Sequence, residues 1–240
     1  MSLASSGTDA SLPQAVTRFN AGDLASARRL CEEALAAHPR QPGLLQLLGL
    51  ICLRTDESTH ALKSAIASLA VRPDHGPTLL LAGDAARVCG DAATALSHHL
   101  EASRLMPQRA DAALSLGLSL QAVSQLVEAE AALSRAVKLA PRAATAWFAL
   151  AQVRQDLGNL AGAEQALRQL LNIAPPRAEV ELNLAIVLQE AGQLGEAMQA
   201  YARAWRLNAG TFGRIAHSLA NARSGRIWLD REDLRAALRS

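Results

Sequence analysis

Two histidines, His98 and His99, stand side by side, and Asp84 lies three residues before Arg87. Adjacent side chains on a helix diverge by about 100°, so His98 and His99 do not converge on one metal ion. Asp84 and Arg87, three apart on one helix, fit a local ion pair better than an acid–base couple. Ser, His and Asp are plentiful but sit in no nucleophile context. There is no HExxH, no paired metal-ligand spacing and no Gly-rich phosphate loop. Cys31, Cys52 and Cys89 are far apart with no CxxC pair. An odd, sparse count argues against a disulfide framework and fits a reducing cytosol, so the expected localisation is cytoplasmic. Cys31 and Cys52 fall on apolar helix faces and read as small core residues. These residues predict no catalytic, cofactor-binding or metal site, and the expectation is a chain that is not an enzyme.

The bulk properties narrow the field further. Half of the 240 residues are apolar and the formal net charge is +2. That charge is too small to argue for nucleic acid or an anionic membrane, and base-stacking aromatics are few. The longest apolar run, Leu44 to Leu53, is interrupted by Gln46 and Gly49, far short of the ~20 residues of a membrane span. The opening MSLASSGTDA has neither a basic region nor an apolar run, so no secretory signal is expected.

The elements that must position any site repeat. Pro39, Pro73, Pro107, Pro141 and Pro175 are spaced 34 residues apart. Ala27, Ala61, Ala95, Ala129, Ala163 and Ala197 form a second column at that spacing. A third reads Ala15, Gly49, Gly83, Gly117, Ala151, Ala185, all small. A fourth reads Gly22, Asp56, Gly90, Ser124, Gly158, Gly192, all turn-compatible. Two antiparallel helices approach to about 8–10 Å, and small residues at the crossing let each present a notch to the other. Each proline lacks an N–H and stops the second helix of its pair.

Length, small columns, turn column and terminal proline together resemble the tetratricopeptide repeat, over 8–211. Residues 144–177 match best, with Trp147, Leu150, Ala151, Gly158, Ala163 and Pro175 where that family expects them. Most other large aromatic positions are Leu or Ala, and Asp56 and Ser124 replace the turn glycine. The resemblance implies an all-α, right-handed α-α superhelical solenoid of six helix pairs: 8–41, 42–75, 76–109, 110–143, 144–177 and 178–211. Residues 1–10 are expected to be a flexible N-terminus. Pro13 suits only a first helical turn, so the first helix is expected at about 12–20.

Residues 212–240 break the period. FGRIAHSLANAR reads as a further first helix with Ile215, Leu219 and Ala222 on one face. Asp230 with Glu232 and Asp233 signals the start of a last helix, about 231–239, with Leu234 and Leu238 together. This tail reads as a C-terminal capping helix pair anchored by Trp228.

In the resembled family the first helix of each pair lines a concave groove. Carried over residue by residue, this gives the partner-binding candidates Leu50, Leu53, Arg54, Leu80, Asp84, Arg87, Leu114, Leu118, Gln121, Phe148, Gln152, Gln155, Leu182, Ile186 and Gln189, beside Phe19, Asp156 and Glu190. The stripe is Leu-rich, without the Lys/Asn pattern that grips a C-terminal carboxylate. The implied function is a protein–protein interaction scaffold that takes a helical or extended apolar peptide segment in that groove. Two alternatives are an accessory or regulatory partner (or N-terminal half) of a bacterial transferase- or oxygenase-type enzyme, and a self-associating adaptor. Nucleic acid ranks below all three.

Overall fold

The computed structural model describes residues 6–220 and 231–239, and every regular element among them is helical. They fall into two compact units, 1–125 and 126–240. Unit 1 holds α1 (Ser6–Asn20), α2 (Leu24–Ala37), α3 (Pro42–Arg54), α4 (Ser58–Leu69), α5 (Gly76–Val88), α6 (Ala92–Leu105) and α7 (Ala110–Ala122). Unit 2 holds α8 (Leu126–Leu139), α9 (Ala144–Asp156), α10 (Leu160–Ile173), α11 (Ala178–Glu190), α12 (Leu194–Leu207), a 3₁₀ turn (Ala209–Thr211), α13 (Phe212–Ala220) and α14 (Arg231–Arg239). In unit 1, α1 packs on α2, α3 on α4 and α5 on α6, and each second helix also packs on the next first helix. The same alternation joins α8 through α12 in unit 2.

The turn column explains how each first helix stops. All six positions have positive φ: Gly22, Gly90, Gly158 and Gly192 lie between 74° and 81°, Asp56 at 60° and Ser124 at 61°. Each marks a left-handed C-terminal stop with a recurring backbone bond, from the residue after it to a carbonyl five residues back. Those bonds are Asp23 N–H to Arg18 O, Glu57 to Cys52, Asp91 to Ala86, Gln125 to Leu120, Asn159 to Arg154 and Gln193 to Leu188, at 2.8 to 3.0 Å. A Cβ at any of the four turn glycines would meet nothing within 4 Å, so glycine serves the dihedral there and not the space. Asp and Ser adopt the same dihedral at a steric cost of about 1–2 kcal/mol.

The next residue caps the second helix when its side chain has the right length. Asp23, Asp91 and Asn159 accept from Ser26, Thr94 and Gly162 N–H at 3.0 to 3.1 Å. Glu57 and Gln193 are one methylene longer and make no such cap. Glu57 instead accepts from Arg28 and Thr55. Both bonds lower its carboxyl pKa, Arg28 the more.

The alanine column is the core of the crossings: its six members are at most 1% exposed. The facing column is buried as well, and at Gly49 a Cβ would lie 2.9 Å from Leu81 Cδ2 and 3.2 Å from the Ala61 carbonyl. The notch expected from the sequence is therefore a real close approach. Cys31 and Cys52 are buried core thiols; burial raises both, Cys31 to about 11. Cys89 is exposed.

The ends differ in part from expectation. Helix α1 starts at Ser6 and runs through Pro13, rather than starting near residue 12. One helical bond is forgone at the proline, and the Thr17 hydroxyl donates to the Pro13 carbonyl at 2.9 Å. At the other end, α12 stops at Leu207, where the Asn208 side chain accepts from Gly210 N–H at 2.9 Å. Helix α14 lies against α12 with Leu234 and Leu238 buried. Arg239 stands over the Trp205 ring at 5.7 Å and Arg235 over Phe212 at 4.7 Å. Ala222, Trp228 and Asp230 lie outside the described residues.

Candidate partner-binding faces

In unit 1 the first helices form a row, since α1 touches α3, α3 touches α5 and α5 touches α7. Of the candidates on that row, Leu50, Leu53, Leu114, Leu118 and Gln121 are half-buried. Leu80 is buried, packed with Leu79, Ala102 and Ala112. Arg54 and Arg87 are exposed. The Arg54 guanidinium lies over the Phe19 ring at 4.3 Å, a cation–π contact between α3 and α1. Asp84 and Arg87 form the local pair expected, at 3.8 Å.

In unit 2 the candidates lie on α9 and α11. Phe148, Gln155, Ile186 and Gln189 are half-buried and Gln152 is exposed. Leu182 is fully buried and offers no surface; α11 is packed by both α10 and α12. Gln155 donates to Glu190 at 2.9 Å and so ties α9 to α11. Gln189 is already occupied. It donates to the Ser218 carbonyl at 3.0 Å and accepts from the Tyr201 hydroxyl at 2.9 Å, joining α13 to the α11/α12 pair. Burial pushes the Tyr201 phenol up to about 12.

Two features escaped the reading of residue types. His99 is completely buried, with Nδ1 2.7 Å from Ser119 Oγ and Nε2 3.5 Å from Asp84 Oδ1. His98, beside it, is partly exposed; burial and then the neighbouring His99 lower its pKa. The second feature is the buried carboxylate Glu181, gripped by Arg203 Nε at 2.9 Å to both oxygens. The signal for the first was in the period. The register of His99 holds Cys31, Ala65, Leu133, Leu167 and Tyr201 elsewhere, all buried, so a histidine there is a core residue out of character. Among the described residues no group of three or more His, Cys, Asp or Glu is arranged to hold a metal ion, and no helix is long and apolar enough to cross a membrane.

Antiparallel helix pairs that share one stop, one set of small crossings and one period define a helical-repeat protein. A sequence profile of the tetratricopeptide repeat matches residues 12–77 and 114–179. The chain belongs to the tetratricopeptide repeat family. No curated protein matches its sequence. Solved structures share the fold. PilF of Pseudomonas aeruginosa aligns with a TM-score of 0.72 at 19% identity, over 85% of this chain and 92% of that one. MamA aligns at 0.64 and 21% identity, over 68% and 96%. YrrB, described as a TPR protein with an unusual peptide-binding site, aligns at 0.66 and 18% identity, over 75% and 92%.

Proposed function

We propose that this chain is a protein–protein interaction scaffold whose first-helix faces take up an apolar, helical or extended segment of a partner. The observation that carries this reading is the set of large apolar side chains left half exposed at matched registers of the first helices, alternating at one register with Asp84 and Gln152. Leu50 and Leu118 share one register in unit 1, and Ile186 holds the same register in unit 2. Leu114 and Phe148 share another. Apolar surface left in water costs about 25 cal/mol per Å² relative to burial, and a partner segment recovers that. Family membership and the peptide-binding site named for YrrB support the same reading. Leu80 and Leu182 are left out of the contact set because they are buried, and Gln189 because it is engaged within the chain.

The test is affinity capture with the wild-type chain and with a Leu118→Asp/Phe148→Asp variant, one substitution in each unit. Circular dichroism checks that the variant stays helical. The expected result is loss of captured proteins from a helical variant. An unchanged set of partners rejects these faces as the binding site.

A further inference from the structure

We propose that Asp84 is the recognition carboxylate of the unit 1 face, held in place by the buried His99, and that it receives a lysine or arginine side chain of the partner segment. The inference rests on the scaffold reading and names the chemistry of that same face.

His99 occupies a register that is otherwise filled by Cys31, Ala65, Leu133, Leu167 and Tyr201. Its ring fits only because residue 83 is glycine: a Cβ there would lie 2.3 Å from Cδ2 and Nε2. Buried polar groups ordinarily find hydrogen-bond partners. Here Nδ1 does, with Ser119 Oγ at 2.7 Å, while Nε2 is buried and makes no hydrogen bond. Asp84 Oδ1 lies 3.5 Å from it. An ionised carboxylate is acceptor-only, so a bare Nε2 lone pair would face another acceptor. The arrangement therefore assigns the proton to Nε2, leaving Nδ1 to accept from the Ser119 hydroxyl. Ser119, His99 and Asp84 thus form a series in which the first contact is a hydrogen bond and the second, at 3.5 Å, an approach without one, and the series ends on a carboxylate at the partly exposed edge of α5.

That carboxylate has capacity to spare. Among the described residues the arginine paired with it is Arg87, at 3.8 Å and without a hydrogen bond. Arg87 is exposed, on the last turn of the same helix. It shows that a guanidinium can stand before Asp84, and it leaves the hydrogen bonds unmade. Asp84 shares its register with Leu50 and Leu118 on the neighbouring first helices. A leucine-rich segment carrying one basic side chain matches that row.

The experiment uses the full chain and three short leucine-rich peptides, identical except for one central lysine, glutamine or glutamate. Binding is followed by fluorescence anisotropy. The lysine peptide is expected to bind about threefold to tenfold tighter than the glutamine peptide, as for a partly solvated charge pair. Asp84→Asn should remove that preference and His99→Leu should weaken it. Leucine already fills this register at Leu133 and Leu167, so the His99→Leu chain should fold. His99→Gln, whose amide can donate along the same line, should restore the preference. A nitrogen–proton correlation spectrum of the free protein should show the Nε2-protonated tautomer of His99. Peptides that bind with a preference unchanged by Asp84→Asn overturn the recognition role of Asp84. The Nδ1-protonated tautomer overturns the positioning role of His99. Failure of every peptide to bind overturns the scaffold reading, and this inference with it.

Discussion

Substituting alanine for Gly83 tests the close approach of α6 to α5 at His99. The new Cβ would lie 2.3 Å from two ring atoms of His99, where carbon–carbon contacts normally sit at about 3.5–4.0 Å. The ring cannot retreat freely, because it is fully buried and bonded to Ser119 Oγ at 2.7 Å. Overpacking of this kind costs about 1–3 kcal/mol, and loss of the Ser119 bond adds about 1 kcal/mol. Against this, alanine in a helix interior gains about 0.8–1.0 kcal/mol over glycine. The net is a loss of about 1–3 kcal/mol. At about 2–4 °C per kcal/mol for a chain of this size, the melting midpoint by circular dichroism should fall by about 2–12 °C. In a His99→Ala background the clash is gone, and the same substitution should be neutral or stabilising by up to about 1 kcal/mol. A Gly83→Ala chain that melts higher than wild type would refute the reasoning. So would an equal effect in both backgrounds, because residues in contact must show a coupling of about 0.5 kcal/mol or more.

Three further outcomes are expected. Ser124→Gly should raise stability by about 1 kcal/mol, because Ser124 sits at a φ of 61°; an unchanged or lower urea midpoint counts against backbone strain at that turn. Tyr201 is the one tyrosine in the chain, so phenolate absorbance reports it alone. Its folded pKa is raised to about 12 from an ordinary 10.0. Its contribution to stability is therefore complete below pH 10 and is lost as pH rises toward 12, and a native titration midpoint near 10 contradicts its burial. In the native chain a thiol reagent at mildly alkaline pH should modify Cys89 rapidly and Cys31 and Cys52 slowly. All three should react at similar rates after unfolding, and fast native labelling of Cys31 speaks against the described core.

The period, the small columns and the stops were legible in the sequence because each answers a local demand. A left-handed dihedral selects Gly22 or Gly158 whatever packs nearby, and a helix crossing selects Ala61 or Ala163 in every pair. The caps were legible at Asp91, where the side chain has the right length. Helix α1 was not, since propensity argues for a start beside Pro13 and the helix begins at Ser6 and runs through it. The candidate faces were legible as registers and not as surfaces. Leu114 and Leu182 hold the same register, yet one is half-buried and the other wholly covered. Gln155 and Gln189 share another, yet one reaches Glu190 while the other is taken by Tyr201 and Ser218.

By itself the sequence determined the repeat, its length, the helical pairs and the family, because those follow from backbone dihedrals and side-chain size, which belong to single residues. Only the tertiary structure decided which face residues keep an exposed edge, and that His99 reaches across Gly83 to set Ser119 on one side and Asp84 on the other. Such outcomes depend on what a neighbouring helix brings to the same point, and a distance between side chains on different helices is written in no one residue.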